Sequence, residues 1–249
     1  MRHLIGTRKI VLFSLIGVAL AACSTPDVAR DMHDPYEAQN RARFERSIKF
    51  DKAVLRPVAM SYGQGVPEPV RQGISNVASN LSLPGSIVND LLQANLEDAV
   101  HNSVRFLFNS TLGILGIFDP MSSAGLNARH SDFGETLHVW GAREGAYLVL
   151  PLFGPSTERD AVGRVVDLFT NPLNYTLPKP ERYVRPVAGA VSQVGDRYRF
   201  AATIDSILYD SADPYAQSRL LYLQNRRFEL GQEPAEEQID PFALNTEGF

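Results

Sequence analysis

The sequence predicts a mainly α protein, a single helical domain with little sheet, and three observations carry that reading. Asp34-Pro35-Tyr36-Glu37 and Asp213-Pro214 each set an acidic N-cap before a proline at the first helical position, and Glu37 follows its cap by three residues. Ile87, Leu91, Leu92, Ala99, Val100, Val104, Leu107 and Phe108 recur at three- and four-residue steps, the spacing of one helix face. Only Tyr147 to Phe153 reads as a strand, and Pro151 confines it to an edge.

Residues 1–22 are excluded from that domain. Arg2, Arg8 and Lys9 precede an uncharged run from Ile10 to Ala22, which is short of the ~20 residues a spanning helix needs and closes in small residues. This is the layout of a secretory signal. Leu20-Ala21-Ala22-Cys23 resembles the bacterial lipobox, in which the thiol is acylated and becomes the first residue. Cys23 is the sole cysteine, so a disulfide within the chain is impossible and lipidation is the expected role of that thiol. Residues 23–33, with Pro26 and no periodic apolar face, read as a lipidated tether.

The helical domain is expected over residues 34–231. A first helix runs from Asp34 towards Leu55, and Arg56-Pro57 bends or ends it. After a loop with Gly63, Gly65, Pro67 and Pro69, a weaker helix spans Val70 to about Leu81 and Pro84 interrupts it. Ser86 caps the strongest candidate, whose apolar stripe runs some six turns and reads as core. Phe106 to Phe118 holds no charge; as a helix it reaches about 20 Å, enough for one leaflet of a bilayer, and a buried hairpin is the alternative. Ser156-Thr157-Glu158 starts another helix that Asn171-Pro172 stops. The last runs from Asp213 to Leu230 with Gly231 as its stop, and residues 232–249 form a flexible acidic tail. Arg-Pro-Val-Ala occurs at 56–59 and again at 185–188, each at a suspected helix break; four residues are too few to claim a repeat.

Charge and missing motifs narrow the function. Removing residues 1–22 with their three cations takes the formal net charge from −4 to −7, which repels phosphate backbones and argues against nucleic acid. The densest polar cluster, Arg129 to His138, has its two histidines eight apart and no His-Glu-x-x-His, so a capped turn with solvated charges is expected and no metal. Gly154-Pro155-Ser156-Thr157-Glu158 is no nucleophile elbow, and Gly63-Gln64-Gly65 lacks the lysine of a phosphate loop. The expectation is a protein without catalytic residues or cofactor, acting by binding or transport.

A series of spaced motifs adds to this reading: Asn40-Arg41, Leu55-Arg56-Pro57-Val58-Ala59 with Tyr62, Asn76, Asn80-Leu81, Asn89 with Leu91-Leu92-Gln93, Arg105-Phe106, Asn109-Ser110-Thr111, Asp132-Phe133-Gly134, Leu150-Pro151-Leu152, Gly154-Pro155-Ser156 and Ser211-Ala212-Asp213-Pro214-Tyr215. In this order they resemble the MlaA (VacJ) family of outer-membrane lipoproteins. The resemblance implies a ring-shaped helical lipoprotein embedded in the periplasmic leaflet of the outer membrane beside trimeric porins. Such a ring removes phospholipid mislocalised in the outer leaflet and passes it to a soluble periplasmic carrier, and it is not an enzyme. The alternative is a porin-associated envelope scaffold that moves no lipid. Leu112, Gly113, Ile114, Leu115, Gly116, Ile117 and Phe118 are the membrane-facing candidates. Two departures stand out: Arg46-Ser47 occupies the place of a family Phe-Asn pair and is the gate candidate, and Ala94 follows Gln93 where the family has glycine.

Overall fold

The computed structural model describes residues 33–232; the signal segment, Cys23 and nearly all of the expected tail lie outside the described residues. Its helices are α1 (Glu37–Phe50), α2 (Arg56–Gly65), α3 (Glu68–Leu92), α4 (Leu96–Thr111), α5 (Pro120–Ser123), α6 (Phe133–Val139), α7 (Glu158–Thr170), α8 (Leu173–Thr176), α9 (Val184–Arg199), α10 (Ala201–Asp205) and α11 (Pro214–Glu229). The strands β1 (Tyr147–Leu150) and β2 (Gly154–Thr157) pair antiparallel, with Tyr147 opposite Thr157. Pro151 sits in the turn between them, where its missing N–H costs no ladder bond. The mainly α class with one small hairpin agrees with the sequence.

Several local expectations do not. Asp34 is not the side-chain cap of α1, because its carboxylate is taken by Asn40 at 2.9 Å, Arg219 at 2.7 Å and the Tyr215 hydroxyl. Arg56-Pro57 neither ends nor breaks the first helix. A wider π turn at Asp51–Leu55 joins α1 to α2, with the Arg56 N–H reaching back to the Asp51 carbonyl. The extra residue in that turn accommodates the proline ring, which clashes with an ordinary α turn. The repeat of that tetrapeptide lies in α9, whose first turn carries Arg185-Pro186, so neither copy marks a break.

Pro84 is likewise interior to α3, a single helix of 25 residues that replaces the two expected on either side of it. The neighbouring Leu81 carbonyl accepts a bond from the buried Asn171 side chain at 3.0 Å, which compensates the disturbed helix ladder. Ser86 is therefore no cap; it is buried in mid-helix and donates to the Ser131 carbonyl at 3.2 Å. The break falls instead at Gln93–Asn95, where Asn95 caps α4 by accepting from the Asp98 N–H. At this corner Ala94 has φ 58°, the left-handed region that glycine enters freely and alanine at a cost of roughly 1–2 kcal/mol. Ala94→Gly is expected to raise stability by up to about 1 kcal/mol after the added entropy of the unfolded chain, measured by denaturant unfolding in detergent.

The largest correction concerns which side is inside. Of the stripe assigned to the core, Ala99 is buried, while Leu91, Leu92, Val100, Leu107 and Phe108 are exposed. The buried face of α4 is Asn102, Arg105 and Asn109, spaced by three and four residues opposite the apolar one. A compact apolar core exists around Phe44, Tyr147, Val149, Tyr215 and Leu223, with the Tyr215 ring edge-on to Phe44 and Tyr147. Elsewhere the helices meet through side-chain hydrogen bonds. Asn40 bridges the hairpin, donating to the Tyr147 carbonyl at 2.9 Å and accepting from the Val149 N–H at 3.0 Å. Asn89 donates to Asp167, Asn102 to Asp90 and to the Arg129 carbonyl, and Asn109 to Asp119. Such bonds are required where a buried amide has no water to turn to.

Candidate functional site

Phe106 to Phe118 is neither one helix nor a buried hairpin. α4 ends at Thr111, and residues 112–118 form a tight turn held by the Leu115 N–H on the Ser110 carbonyl (2.9 Å), the Gly116 N–H on Asn109 (2.8 Å) and the Phe118 N–H on Gly113 (2.9 Å). Gly113 and Gly116 point inward. A Cβ on Gly113 would lie 2.3 Å from the Phe118 carbonyl, and one on Gly116 would meet the Asn80 side chain at 2.6 Å. Asn76 and Asn80, one turn apart on α3, clamp the loop through the Ile117 carbonyl and the Ser110 hydroxyl, both at 3.0 Å.

The side chains between and beside the glycines do the opposite. Leu112 is 68 % exposed, Leu115 72 %, and Ile114, Ile117 and Phe118 are exposed as well. Ile114 and Leu115 also hold φ values of 52° and 56°, a conformation disfavoured for branched and bulky residues. Large apolar side chains on a strained backbone, turned outward by a framework of asparagines, mark a surface retained for something other than stability in water. The exposed apolar face of α4 and the hairpin turn, with Leu152 83 % exposed beside Phe153, extend this character over the molecule.

Two cavities adjoin these surfaces. One is an open apolar groove of about 870 Å³ between Val70, Ile74 and Val77 of α3 and Val184, Val187 and Val191 of α9, also lined by Ile117 and Phe118. The other, about 650 Å³, lies between α1 and the hairpin turn and is lined by Phe44, Ile48, Phe50, Leu152, Phe153 and Leu208 together with Arg43, Arg46 and Ser47. The structure thus puts Arg46-Ser47 and the 112–118 loop on different cavities. Arg46 is exposed, with its Nε on the Ala42 carbonyl at 3.1 Å, and Ser47 donates to the Arg43 carbonyl one turn back.

The polar cluster at 129–138 is a capped turn whose charges at Arg129 and Asp132 remain partly solvated but are also paired. Asp132 caps α6 by accepting from the Glu135 N–H at 2.8 Å, and it pairs with Arg226 at 2.7 Å. Arg129 is paired with Glu97 and Asp98. Burial raises the Glu135 carboxyl above its ordinary range and lowers His138, which also faces Arg159. Asp160 runs the other way. Burial alone would raise its carboxyl, but Arg226 and the Tyr222 hydroxyl hold it below the ordinary carboxylate range. These groups lock α6, α7 and α11 to one another. Among the described residues no cluster of histidine, cysteine and acidic groups has the makings of a metal site.

The interior ion pairs escaped the sequence reading. Arg105 is paired with Asp119, Arg197 with Asp51 and Asp205 at 2.8 and 2.6 Å, and Arg219 with Asp34 at 2.7 Å. A signal was there. Asparagine is a poor helix former, so Asn76, Asn80, Asn89, Asn102 and Asn109 placed in otherwise good helices point to positions that need an amide.

Among the described residues no helix is long and apolar enough to cross a membrane. Exposed apolar area of this kind is costly in water and costs nothing against hydrocarbon. Comparison with known proteins points the same way. The sequence model of one family, described as MlaA lipoprotein, matches residues 32–229. An uncharacterized protein of Rickettsia bellii is 34 % identical over 198 residues, 79 % of this chain and 76 % of that one. The intermembrane phospholipid transport system lipoprotein MlaA of Escherichia coli K12 is 32 % identical over 218 residues, 85 % of this chain and 83 % of its own. A solved structure from work on the maintenance of bacterial outer membrane lipid asymmetry superposes with a TM-score of 0.68 at 32 % identity, covering 79 % of this chain and 98 % of that one.

Proposed function

Because the chain belongs to the MlaA lipoprotein family, we propose that it takes phospholipid mislocalised in the outer leaflet of the outer membrane and passes it to a soluble periplasmic carrier. It is a lipoprotein of intermembrane phospholipid transport and serves outer-membrane lipid asymmetry. In the finer reading it is anchored through Cys23, lies as a ring in the periplasmic leaflet beside a trimeric porin, and carries out no chemistry of its own.

The observation that supports this reading best is the outward-turned apolar loop at 112–118 on a hydrogen-bonded polar interior. In hydrocarbon, polar side chains must find partners within the protein, and apolar ones have no reason to hide. A phospholipid needs both characters along its path, polar groups for the head and apolar contact for the chains. Helices that bond to one another through amides and ion pairs, and present leucine and phenylalanine outward, can offer both while resting in one leaflet.

Deleting the gene in its own host is expected to expose phospholipid on the cell surface, measured by its accessibility to an added phospholipase. The full chain should restore the barrier, and the Cys23→Ser chain should not, since acyl chains supply most of the anchoring. Unchanged surface phospholipid in the deletion strain refutes transport and favours the scaffold reading. Full rescue by Cys23→Ser refutes the anchor alone.

A further inference from the structure

Resting on the transport reading, we infer that the cleft between α1 and the hairpin turn is a phospholipid site in which Arg43 and Arg46 bind the phosphate while the chains lie against Phe44, Ile48, Leu152 and Phe153. The two arginines are three residues apart, so they share one side of α1, and both line the cleft. Arg43 is half-buried and Arg46 is exposed.

Among the described residues neither arginine is matched by an acid, unlike Arg41 with Asp213, Arg56 with Asp205, Arg219 with Asp34 and Arg227 with Glu144. Arg46 keeps its terminal nitrogens clear by hanging its Nε on the Ala42 carbonyl. Asp51 is the acid lining the cleft, and it is already committed to Arg197 through two bonds of 2.9 and 2.8 Å and to the Tyr209 hydroxyl. Two unmatched guanidinium groups on an apolar cleft complement one kind of ligand, an anion carried on hydrocarbon. Guanidinium suits phosphate because its donors are arranged in a plane that two phosphate oxygens can meet together.

The opposite wall is built for chains rather than for a head. Leu152 stands at φ 66° in the turn, and the Arg164 guanidinium lies 5.9 Å over the Phe153 ring and donates to the Phe153 carbonyl at 3.4 Å. The turn is thus steadied from behind by a third cation, leaving its apolar side to the cleft.

The test uses the full chain purified in detergent, with pyrene-labelled phosphatidylethanolamine and an equally labelled diacylglycerol as probes. The wild type is expected to prefer the phospholipid by roughly tenfold, the worth of one charge-assisted contact. In Arg43→Gln/Arg46→Gln the preference should fall to within about twofold while diacylglycerol affinity stays unchanged, and Arg43→Lys/Arg46→Lys should retain only part of the preference, since an ammonium keeps the charge but not the planar pair of donors. A glutamine pair that discriminates like wild type, or one that loses diacylglycerol binding as well, overturns the site. Rescue of surface lipid by the wild-type chain decides transport separately, so the cleft can fail while transport stands.

Discussion

Arg105→Ala is expected to lower stability by about 3–5 kcal/mol, the cost of removing one partner from a buried charge pair. Arg105 is 1 % exposed and sits in the interior between α4 and the loop leading to α5. Its guanidinium bonds Asp119 at 2.9 Å, the Ser122 hydroxyl at 3.2 Å and the Leu126 carbonyl. Burial would raise the Asp119 carboxyl, but bonds from Ser122, Asn109 and Arg105 hold it below the ordinary carboxylate range. Without the arginine, Asp119 keeps its bonds from Ser122 and Asn109 but loses its charged partner, and the Leu126 carbonyl loses a donor. Urea unfolding in detergent, followed by circular dichroism, reads the loss. Arg105→Lys should recover part of it, because a single ammonium reaches Asp119 but not three acceptors at once. A loss below about 1 kcal/mol for the alanine variant is the size expected of a surface pair and would remove Arg105 from the interior.

That expectation inverts the usual ranking, in which apolar positions dominate, and it shows where the sequence was legible. Helix starts with a side-chain cap were legible at Asp213 and Thr157, because an acid or hydroxyl three residues before a free N–H acts locally. The helix stop at Asn171 and the left-handed Gly231 followed the same logic. The prolines did not. Pro57 and Pro84 read as breaks because the local cost is all that sequence displays, while the π turn at Asp51–Leu55 and the Asn171 bond to Leu81 come from elsewhere in the chain.

The stripe over residues 87–108 failed for a different reason. Periodicity finds a face, and nothing in a period of 3.6 says whether that face meets protein, lipid or water. The opposite face held the answer, since Asn102, Arg105 and Asn109 follow the same period and have to be bonded somewhere. The elements between 173 and 212, including α9, were not anticipated, although Val184, Val187, Ala188 and Val191 follow the same helical spacing. For the candidate site, the composition of residues 112–118 was legible and its geometry was not. Which glycines turn inward depends on Asn76 and Asn80, some thirty to forty positions earlier in the chain.

Leu115 supplies the sharpest test of what that loop is for. A leucine lost from a packed core costs roughly 2–5 kcal/mol, whereas one facing solvent or fluid acyl chains leaves no cavity behind. Leu115→Ala is therefore expected to move the melting temperature by no more than about 2–4 °C, the shift that ~1 kcal/mol produces in a domain of this size. Leu115→Gly goes further. The φ of 56° is one that glycine adopts without penalty, so this variant should be as stable as wild type or more so while lacking the apolar side chain. Leu115→Glu places a charge where hydrocarbon is proposed, at a cost of about 2–3 kcal/mol at the depth of a bilayer centre and less nearer the interface. Surface phospholipid in the complemented deletion strain is expected to rise for the glutamate variant, and to a smaller degree for the glycine variant, with both proteins folded and present at wild-type levels. A melting temperature that falls steeply for alanine would place Leu115 in a protein core. Full function from the glutamate variant would mean that the strain held at Ile114 and Leu115 serves no membrane contact.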